Sequence, residues 1–344
     1  MTNDQKMKIA MIGNGKSTNR YHVPFILQRP EKMEIKTIWR RSPSRDAWAP
    51  LQGVNYTTDL TDILEDDDID LVVVCTRQDS HYEYAKMALE AGKNVLVEKP
   101  FTQTYEQARE LFDLAKEKGL FCSAYQNRRF DSDFLTVQKV IESDVLGDLL
   151  EAEMHFDYYR PEISENCHEY SADTSFLYGH ACHTLDQVLS YFGLPDNVHY
   201  DVRQLLGPGR MNDYFDLDLY YKNFKVSVKS SYFRVKSRPS FVVYGTRGMF
   251  VKETKDRQED DLKKFYMPVN KDFGLDRPEH YGTLTYYDEA GTYHEEKVVS
   301  EPGDYARFYD AVYESIMNGK EQLVTPEQTL AQMEMLEKGV RSLH

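Results

Sequence analysis

Nowhere in these 344 residues does an apolar run approach the ~18 residues that a membrane span needs, so no membrane partner is expected. The N-terminal stretch 1–8 is polar and lacks the apolar centre of a secretory signal. Cysteine is scarce: Cys75, Cys122, Cys167 and Cys182 are widely spaced and form no CxxC pair. That spacing excludes a disulfide scaffold and a zinc ribbon, and no metal is expected. These absences together predict a reduced, cytoplasmic protein. Positive charge is also short, since 42 Lys+Arg against 57 Asp+Glu leave a formal net charge of −15. A chain that grips phosphate backbones needs a basic face, so nucleic acid is excluded as a partner. No internal repeat or low-complexity segment occurs.

What is present suffices for sizeable cores, with 41% hydrophobic and 13% aromatic residues. The length predicts two domains at roughly 100–200 residues each. Short apolar runs at 8–13, 34–39, 69–76, 94–97 and 120–124 read as buried parallel strands. Helical stretches alternate with them at 21–28, 58–66, 81–91 and 104–118. Gly92 and Gly119 are placed to stop the last two. This alternation predicts an α/β fold with a doubly wound parallel sheet over residues 1–124. From about residue 150 the texture changes. Segments 151–159, 215–221, 224–233 and 240–244 alternate and are rich in aromatics, which predicts a large, mainly antiparallel sheet in an α+β domain spanning 125–344. A helix is expected over 183–192. The polar stretch 252–280 reads as a long loop. Helices at 303–318 and 326–342 close the chain, each apolar on one face and expected to pack against the body, the last of them on the first domain.

Three loops carry the chemistry of the first domain. Gly13-Asn14-Gly15-Lys16-Ser17-Thr18 follows the first strand. Glycines there allow a tight turn and close approach of a pyrophosphate to backbone N–H groups. Thr18 stands where the dinucleotide fingerprint has its third glycine, and Lys16 and Ser17 can add phosphate contacts. The second strand ends in Trp39-Arg40-Arg41-Ser42 instead of the acid that accepts the ribose 2′-OH in NAD sites. A guanidinium suits a 2′-phosphate and stacks on adenine, so NADP(H) is expected over NAD(H). Thr76-Arg77-Gln78-Asp79-Ser80-His81 follows the strongest strand and is expected to line the same crevice.

The run Gly92-Lys93-Asn94-Val95-Leu96-Val97-Glu98-Lys99-Pro100 resembles the A-G-K-[HN]-V-x-x-E-K-P signature of the Gfo/Idh/MocA oxidoreductase family. The order of elements along nearly the whole chain agrees. Within that family, Asn127-Arg128-Arg129-Phe130-Asp131-Ser132-Asp133-Phe134-Leu135-Thr136 and Asp157-Tyr158-Tyr159-Arg160-Pro161 look most like the branch with NADP-dependent scyllo-inositol dehydrogenases. The resemblance implies that Lys99, beside the cofactor-lining Glu98, hydrogen-bonds the reacting oxygen. It maps His183 onto the family's proton-carrying histidine and Asp186 onto its second catalytic aspartate. An imidazole titrates near neutral pH and suits that task. The family's first aspartate falls on Gly179, with His180, Tyr158 and Arg160 as candidates to compensate and to contact substrate. Asn127 and Arg128 are expected at the nicotinamide ribose or the substrate. Hydride transfer between NADP(H) and a CH–OH group of a polyol, inositol or sugar-like substrate follows, by a homodimer or homotetramer built through the second domain's sheet. The competing readings are a low-turnover NADP(H)-binding sensor or regulatory protein, and cofactor-assisted glycosidic cleavage.

Overall fold

The computed structural model of the protein describes residues 6–42, 48–162, 175–207 and 211–343; Cys167 lies outside them. Contacts divide the chain into two units. The first comprises Met1–Asn127, Asp260–Phe273 and Tyr305–Met333. The second comprises Arg128–Glu259, Gly274–Asp304 and Glu334–His344.

The first unit is built on six parallel strands: β1 (Met7–Ile12), β2 (Met33–Trp39), β3 (Asn55–Thr57), β4 (Leu71–Val74), β5 (Asn94–Val97) and β6 (Cys122–Ala124). Their spatial order is β3-β2-β1-β4-β5-β6. Ile9 to Ile12 and Leu71 to Val74 are fully buried on both faces, which is why these runs read as continuous apolar stretches rather than as alternation. The helices are α1 (Val23–Ile26), α2 (Thr61–Leu64), α3 (His81–Glu90) and α4 (Tyr105–Lys118). Local chemistry sets the ends of α4: Thr104 and Gln107 form a reciprocal capping box, and Gly119 closes the helix at φ 66°. The expected helix at 21–28 is different. A π-type turn, Thr18–His22, precedes the four residues of α1. Pro24 has no N–H to continue a regular ladder through that junction.

The second unit begins with α5 (Ser132–Glu142), a helix the apolar pattern left unassigned, followed by β7 (Leu149–His155) and α6 (Cys182–Phe192). Then come β8 (Asn197–Arg203), β9 (Tyr214–Tyr220), β10 (Lys225–Ser231), β11 (Phe241–Gly245) and β12 (Gly248–Lys252). The 252–280 stretch is not wholly loop, because it holds α7 (Gln258–Lys263). Strands β13 (Gly282–Tyr287) and β14 (Tyr293–Val298) complete an eight-stranded sheet ordered β14-β13-β12-β11-β7-β10-β9-β8. Every pairing is antiparallel except β7 with β10. The sheet is two-faced. Phe215, Leu217, Val226, Val228, Ala152, Met154, Val243 and Phe250 are buried on one side. Glu151 and Glu153 on the other side pair with Lys225 and Lys229, which also meet Asp218 and Asp216.

The chain ends in α8 (Ala306–Asn318) and α9 (Pro326–Arg341). In the first unit, Tyr309 of α8 meets His22, and Asp310 takes both Arg29 and Lys32. No helix among the described residues is long and apolar enough to cross a membrane.

Candidate active site

The strand order of the first unit reverses between β1 and β4, and ligands of open α/β sheets sit beyond the strand ends at such a switch point. The loops after β1, β2 and β4 there enclose a cavity of about 570 Å³. It is lined by Gly13 to Ser17, Trp39 to Ser42, Cys75 to Arg77, Asp79 and Ser80. The structure therefore brings together Gly13, Asn14, Gly15, Lys16, Ser17, Arg40, Arg41, Ser42, Thr76, Arg77 and Ser80 from three separate stretches of chain. Four cationic side chains face one carboxylate, that of Asp79, in a chain whose net charge is −15. Lys16 and Arg41 are exposed, and neither pairs with an acid among the described residues.

Gly13 is the tightest point of the cradle. Its φ is +118°, and a Cβ there would lie 2.7 Å from the Cys75 carbonyl oxygen. A Cβ on Gly15 would meet nothing within 4 Å, so that glycine faces open space. Thr18 is buried and its Oγ1 donates to the Gly13 carbonyl at 2.7 Å, so it fixes the turn from within. Gly13→Ala is expected to weaken dinucleotide binding by about 10–100-fold, because a side chain in this backbone region costs ~1–3 kcal/mol. Fluorescence titration of the reduced cofactor measures it.

Glu98 joins this loop to Lys99. Its Oε1 accepts from Ser17 Oγ and lies 3.0 Å from His22 Nε2, while Oε2 accepts from the Lys99 N–H at 2.9 Å. The Tyr309 hydroxyl closes the chain of contacts, 2.6 Å from His22 Nδ1. Burial alone would raise the Glu98 carboxyl. The His22 hydrogen bond and the charges of His22 and Lys99 outweigh it and hold Glu98 well below the usual carboxylate range. Lys99 is half-buried, its bond to Pro100 is cis, and its ammonium pairs with no described residue. The Asn127 amide is nearly buried and likewise hydrogen-bonds to no described residue.

His81 has a different task from the cofactor contact expected of it. It is buried, with Nδ1 2.9 Å from the Pro100 carbonyl and Nε2 3.2 Å from the Thr76 carbonyl. It ties the β4 loop to the turn that carries Lys99. Gln78 lies in the single 3₁₀ turn before α3.

In the second unit His183 is buried as the second residue of α6. Asp186, one helical turn on, is taken by Arg129 in a buried bidentate pair, Nε to Oδ2 at 2.8 Å and Nη2 to Oδ1 at 2.7 Å. Gln187 donates to the Arg128 carbonyl at 2.7 Å, so the same face of α6 is held twice. Both Asp186 oxygens thus accept from Arg129, and the pair holds this face of the helix. Arg128 pairs with Asp131 and Glu259 and lies over the Phe156 ring, 5.1 Å from its centroid. His180 sits 4.7 Å from the Tyr158 ring, with Nε2 3.1 Å from the Tyr232 hydroxyl. A Cβ on Gly179 would meet nothing within 4 Å, so crowding does not exclude an aspartate there. Arg129, Glu259, His22 and Tyr232 were not anticipated. Only Arg129 stood in a motif that could have pointed to it.

Two family profiles match in tandem: an oxidoreductase family's NAD-binding Rossmann fold over residues 7–126, and its C-terminal alpha/beta domain over residues 138–344. The chain belongs to the Gfo/Idh/MocA oxidoreductase family. It is 47% identical over 331 residues to the uncharacterized oxidoreductase YhhX of Escherichia coli (strain K12), covering 96% of this chain and 95% of that one. It is 31% identical over 339 residues to the scyllo-inositol 2-dehydrogenase (NADP(+)) IolW of Bacillus subtilis (strain 168), covering 98% and 93%. The crystal structure of an oxidoreductase from Bacillus cereus superposes with a TM-score of 0.92 at 42% identity, covering 97% and 95%. Like other Gfo/Idh/MocA proteins, this chain is an NAD(P)-dependent dehydrogenase. The cavity fits the dinucleotide, with a glycine cradle that a Cβ would fill and cations placed for its phosphates.

Proposed function

We propose that the protein transfers a hydride between NADP(H) and a carbinol or carbonyl carbon of a polyol, inositol or sugar-like substrate. The observation that carries this reading is the half-buried Lys99 ammonium, without a partner among the described residues, just past β5 and next to Glu98, which is locked to the glycine-rich loop. The name of the Bacillus subtilis relative, an NADP(+)-dependent scyllo-inositol dehydrogenase, supports it. When bound, the nicotinamide supplies the hydride acceptor or donor.

Lys99 donates a hydrogen bond to the reacting oxygen and stabilises the negative charge that develops there. His183 takes the hydroxyl proton through its imidazole in oxidation and returns it in reduction. Asp186, through Arg129, positions the helix that bears His183. Glu98 orients the Lys99 backbone, and His81 holds the neighbouring turn. Asn127 is open to the ribose or the substrate. Mixing the protein with NADP⁺ and a panel of polyols while following the reduced cofactor's absorbance tests the reading. Tight NADP⁺ binding without turnover of any member would replace it with the low-turnover sensor.

The 2′-phosphate is assigned to Arg40 and Arg41. Arg41 is exposed and pairs with no described residue, and Arg40 lies over the Tyr56 ring, 5.9 Å from its centroid. Replacing both by alanine is expected to lower the preference for NADP⁺ over NAD⁺ in kcat/KM by about 10–100-fold, since a hydrogen bond to a charged group is worth ~1.5–3 kcal/mol. An unchanged preference would take the 2′-phosphate away from Arg40 and Arg41, and a wild-type preference for NAD⁺ would return the assignment to NAD(H).

Two copies, or four, associate in this reading through the outer face of the eight-stranded sheet. There Tyr220 and Tyr244, both partly exposed, lie in one cross-strand row with Lys225 and Glu151. Cys75 and Cys122 are buried free thiols, which suits the reducing cytoplasm.

A further inference from the structure

Beyond β7 the chain runs on in register with the end of β10. The N–H groups of Phe156, Tyr158 and Arg160 donate to the carbonyls of Lys229, Ser231 and Tyr232. Asp157, between the two rings, turns inward and is gripped by Arg238 through Nε at 2.9 Å and Nη2 at 2.8 Å. Phe156 and Tyr158 are therefore held rigidly, and positive charge gathers around them. Lys255 Nζ lies 3.9 Å from the Phe156 centroid and 4.7 Å from that of Tyr158. Arg128 is over the same Phe156, and the Arg160 guanidinium lies 4.6 Å from the Tyr158 centroid.

The pairing of these three cations is unequal. Arg128 has Asp131 and Glu259. Lys255 has one hydrogen bond, to the Asp157 carbonyl at 3.0 Å, and two ring faces; the charges of Asp157, Glu259 and Asp133 reach it, and no described carboxylate forms an ion pair with it. Among the described residues the Arg160 side chain meets only ring faces. A cation on an aromatic face keeps part of its attraction for charge while losing water. Burial, then the charge of Arg128, pulls the Lys255 ammonium down to about 8. An ammonium largely withdrawn from water with no carboxylate in direct contact is unfavourable to keep, and such groups gather where a ligand supplies a closer charge.

We propose that Lys255 and Arg160 form a subsite for an anionic substituent, a carboxylate or a phosphate, on the sugar-like substrate. The proposal rests on the reading that the second unit holds the substrate. It narrows the substrate class from neutral polyols to sugar acids or sugar phosphates. Lys255 stands in a polar stretch without helix or strand period, so nothing in the sequence marked it.

The test is calorimetric titration of the NADP⁺-loaded protein with glucose, glucuronate and glucose 6-phosphate, with turnover of each followed in parallel. At least one charged probe is expected to bind about tenfold or more tightly than glucose, the scale of one charge-assisted hydrogen bond. Glucuronate alone identifies a carboxylate site and glucose 6-phosphate alone a phosphate site. Lys255→Gln and, separately, Arg160→Gln should each shrink that preference by about tenfold. Arg160 is exposed, so its variant guards against a folding defect at Lys255, and calorimetric thermal transitions report the fold of both. Equal binding of all three probes, no binding of any, or a preference that survives both substitutions overturns the subsite. Failure of the hydride-transfer reading looks different: the charged probe binds, both variants weaken it, and nothing is turned over.

Discussion

Lys99→Ala is expected to reduce turnover by about 10²–10⁴-fold, the range spanned by loss of an electrostatic stabiliser or a proton-transfer group, while NADPH affinity stays within a few-fold of wild type. Affinity survives because the cradle is built by other residues. The Gly13 turn, the Ser17–Glu98 hydrogen bond and the cations after β2 and β4 remain in place. The backbone contact from Glu98 to the Lys99 N–H is also retained, since alanine keeps that N–H. Only the ammonium goes; it forms no hydrogen bond or ion pair with a described residue, and His22 remains to keep Glu98 ionised. His183→Ala should show a loss of similar size and should also remove the lower limb of the pH–rate profile for oxidation, because the base that must be unprotonated is gone. Wild-type rates in both variants would remove Lys99 and His183 from the chemistry. A loss that tracks weakened NADPH binding would instead make Lys99 part of the cofactor seat.

The residues that could be placed from sequence share one property: their neighbours in space are also their neighbours in the chain. Gly13 to Thr18 is a single turn, and its fit to a dinucleotide needs only the strand before it. The capping box at Thr104 and Gln107 is likewise local. Strands β1 and β4 were legible because both faces are buried, which leaves an unbroken apolar run. Strands β8 and β14 were not, because they form the two edges of their sheet and most of their residues are half-exposed or exposed. An edge strand of that kind carries no alternation to read. The parallel pairing of β7 with β10 was hidden for a different reason: antiparallel and parallel neighbours on a half-buried face demand the same alternation. At the site, His22 meets Glu98 across 76 positions, and Arg129 meets Asp186 across 57. Neither pairing leaves a trace in local spacing. The Asp186 assignment shows the consequence, since the motif carried the residue correctly and only the position of Arg129 reveals what its carboxylate does.

Arg129→Met should destabilise the second unit by about 3–5 kcal/mol, the usual penalty for stranding one charge of a buried pair. Its thermal transition would then fall by on the order of 10 °C at neutral pH. The sign of the pH dependence distinguishes this from simple loss of packing. Burial pushes the Asp186 carboxyl up, and the Arg129 charge and hydrogen bonds oppose that push. Without Arg129 the opposition vanishes and the folded-state pKa rises further above its unfolded value. The folded protein then binds more protons than the unfolded chain between those two values, so its stability falls as pH rises through that window. The deficit of Arg129→Met relative to wild type should therefore be largest near pH 8 and shrink on acidification towards pH 5. Asp186→Asn strands the guanidinium instead, which stays charged throughout, so its deficit should be nearly flat over the same range. The double replacement Arg129→Met with Asp186→Leu should recover much of the loss, because a buried pair exchanged for apolar side chains of similar volume is often neutral. Scanning calorimetry at the two pH values reads all three. Turnover in the double variant then separates the roles of Asp186. Substantial activity in a stable protein that lacks the carboxylate means that Asp186 acts by holding α6, and with it His183, in place. Loss of turnover on the scale of His183→Ala, with the fold restored, would return Asp186 to the proton-transfer chemistry.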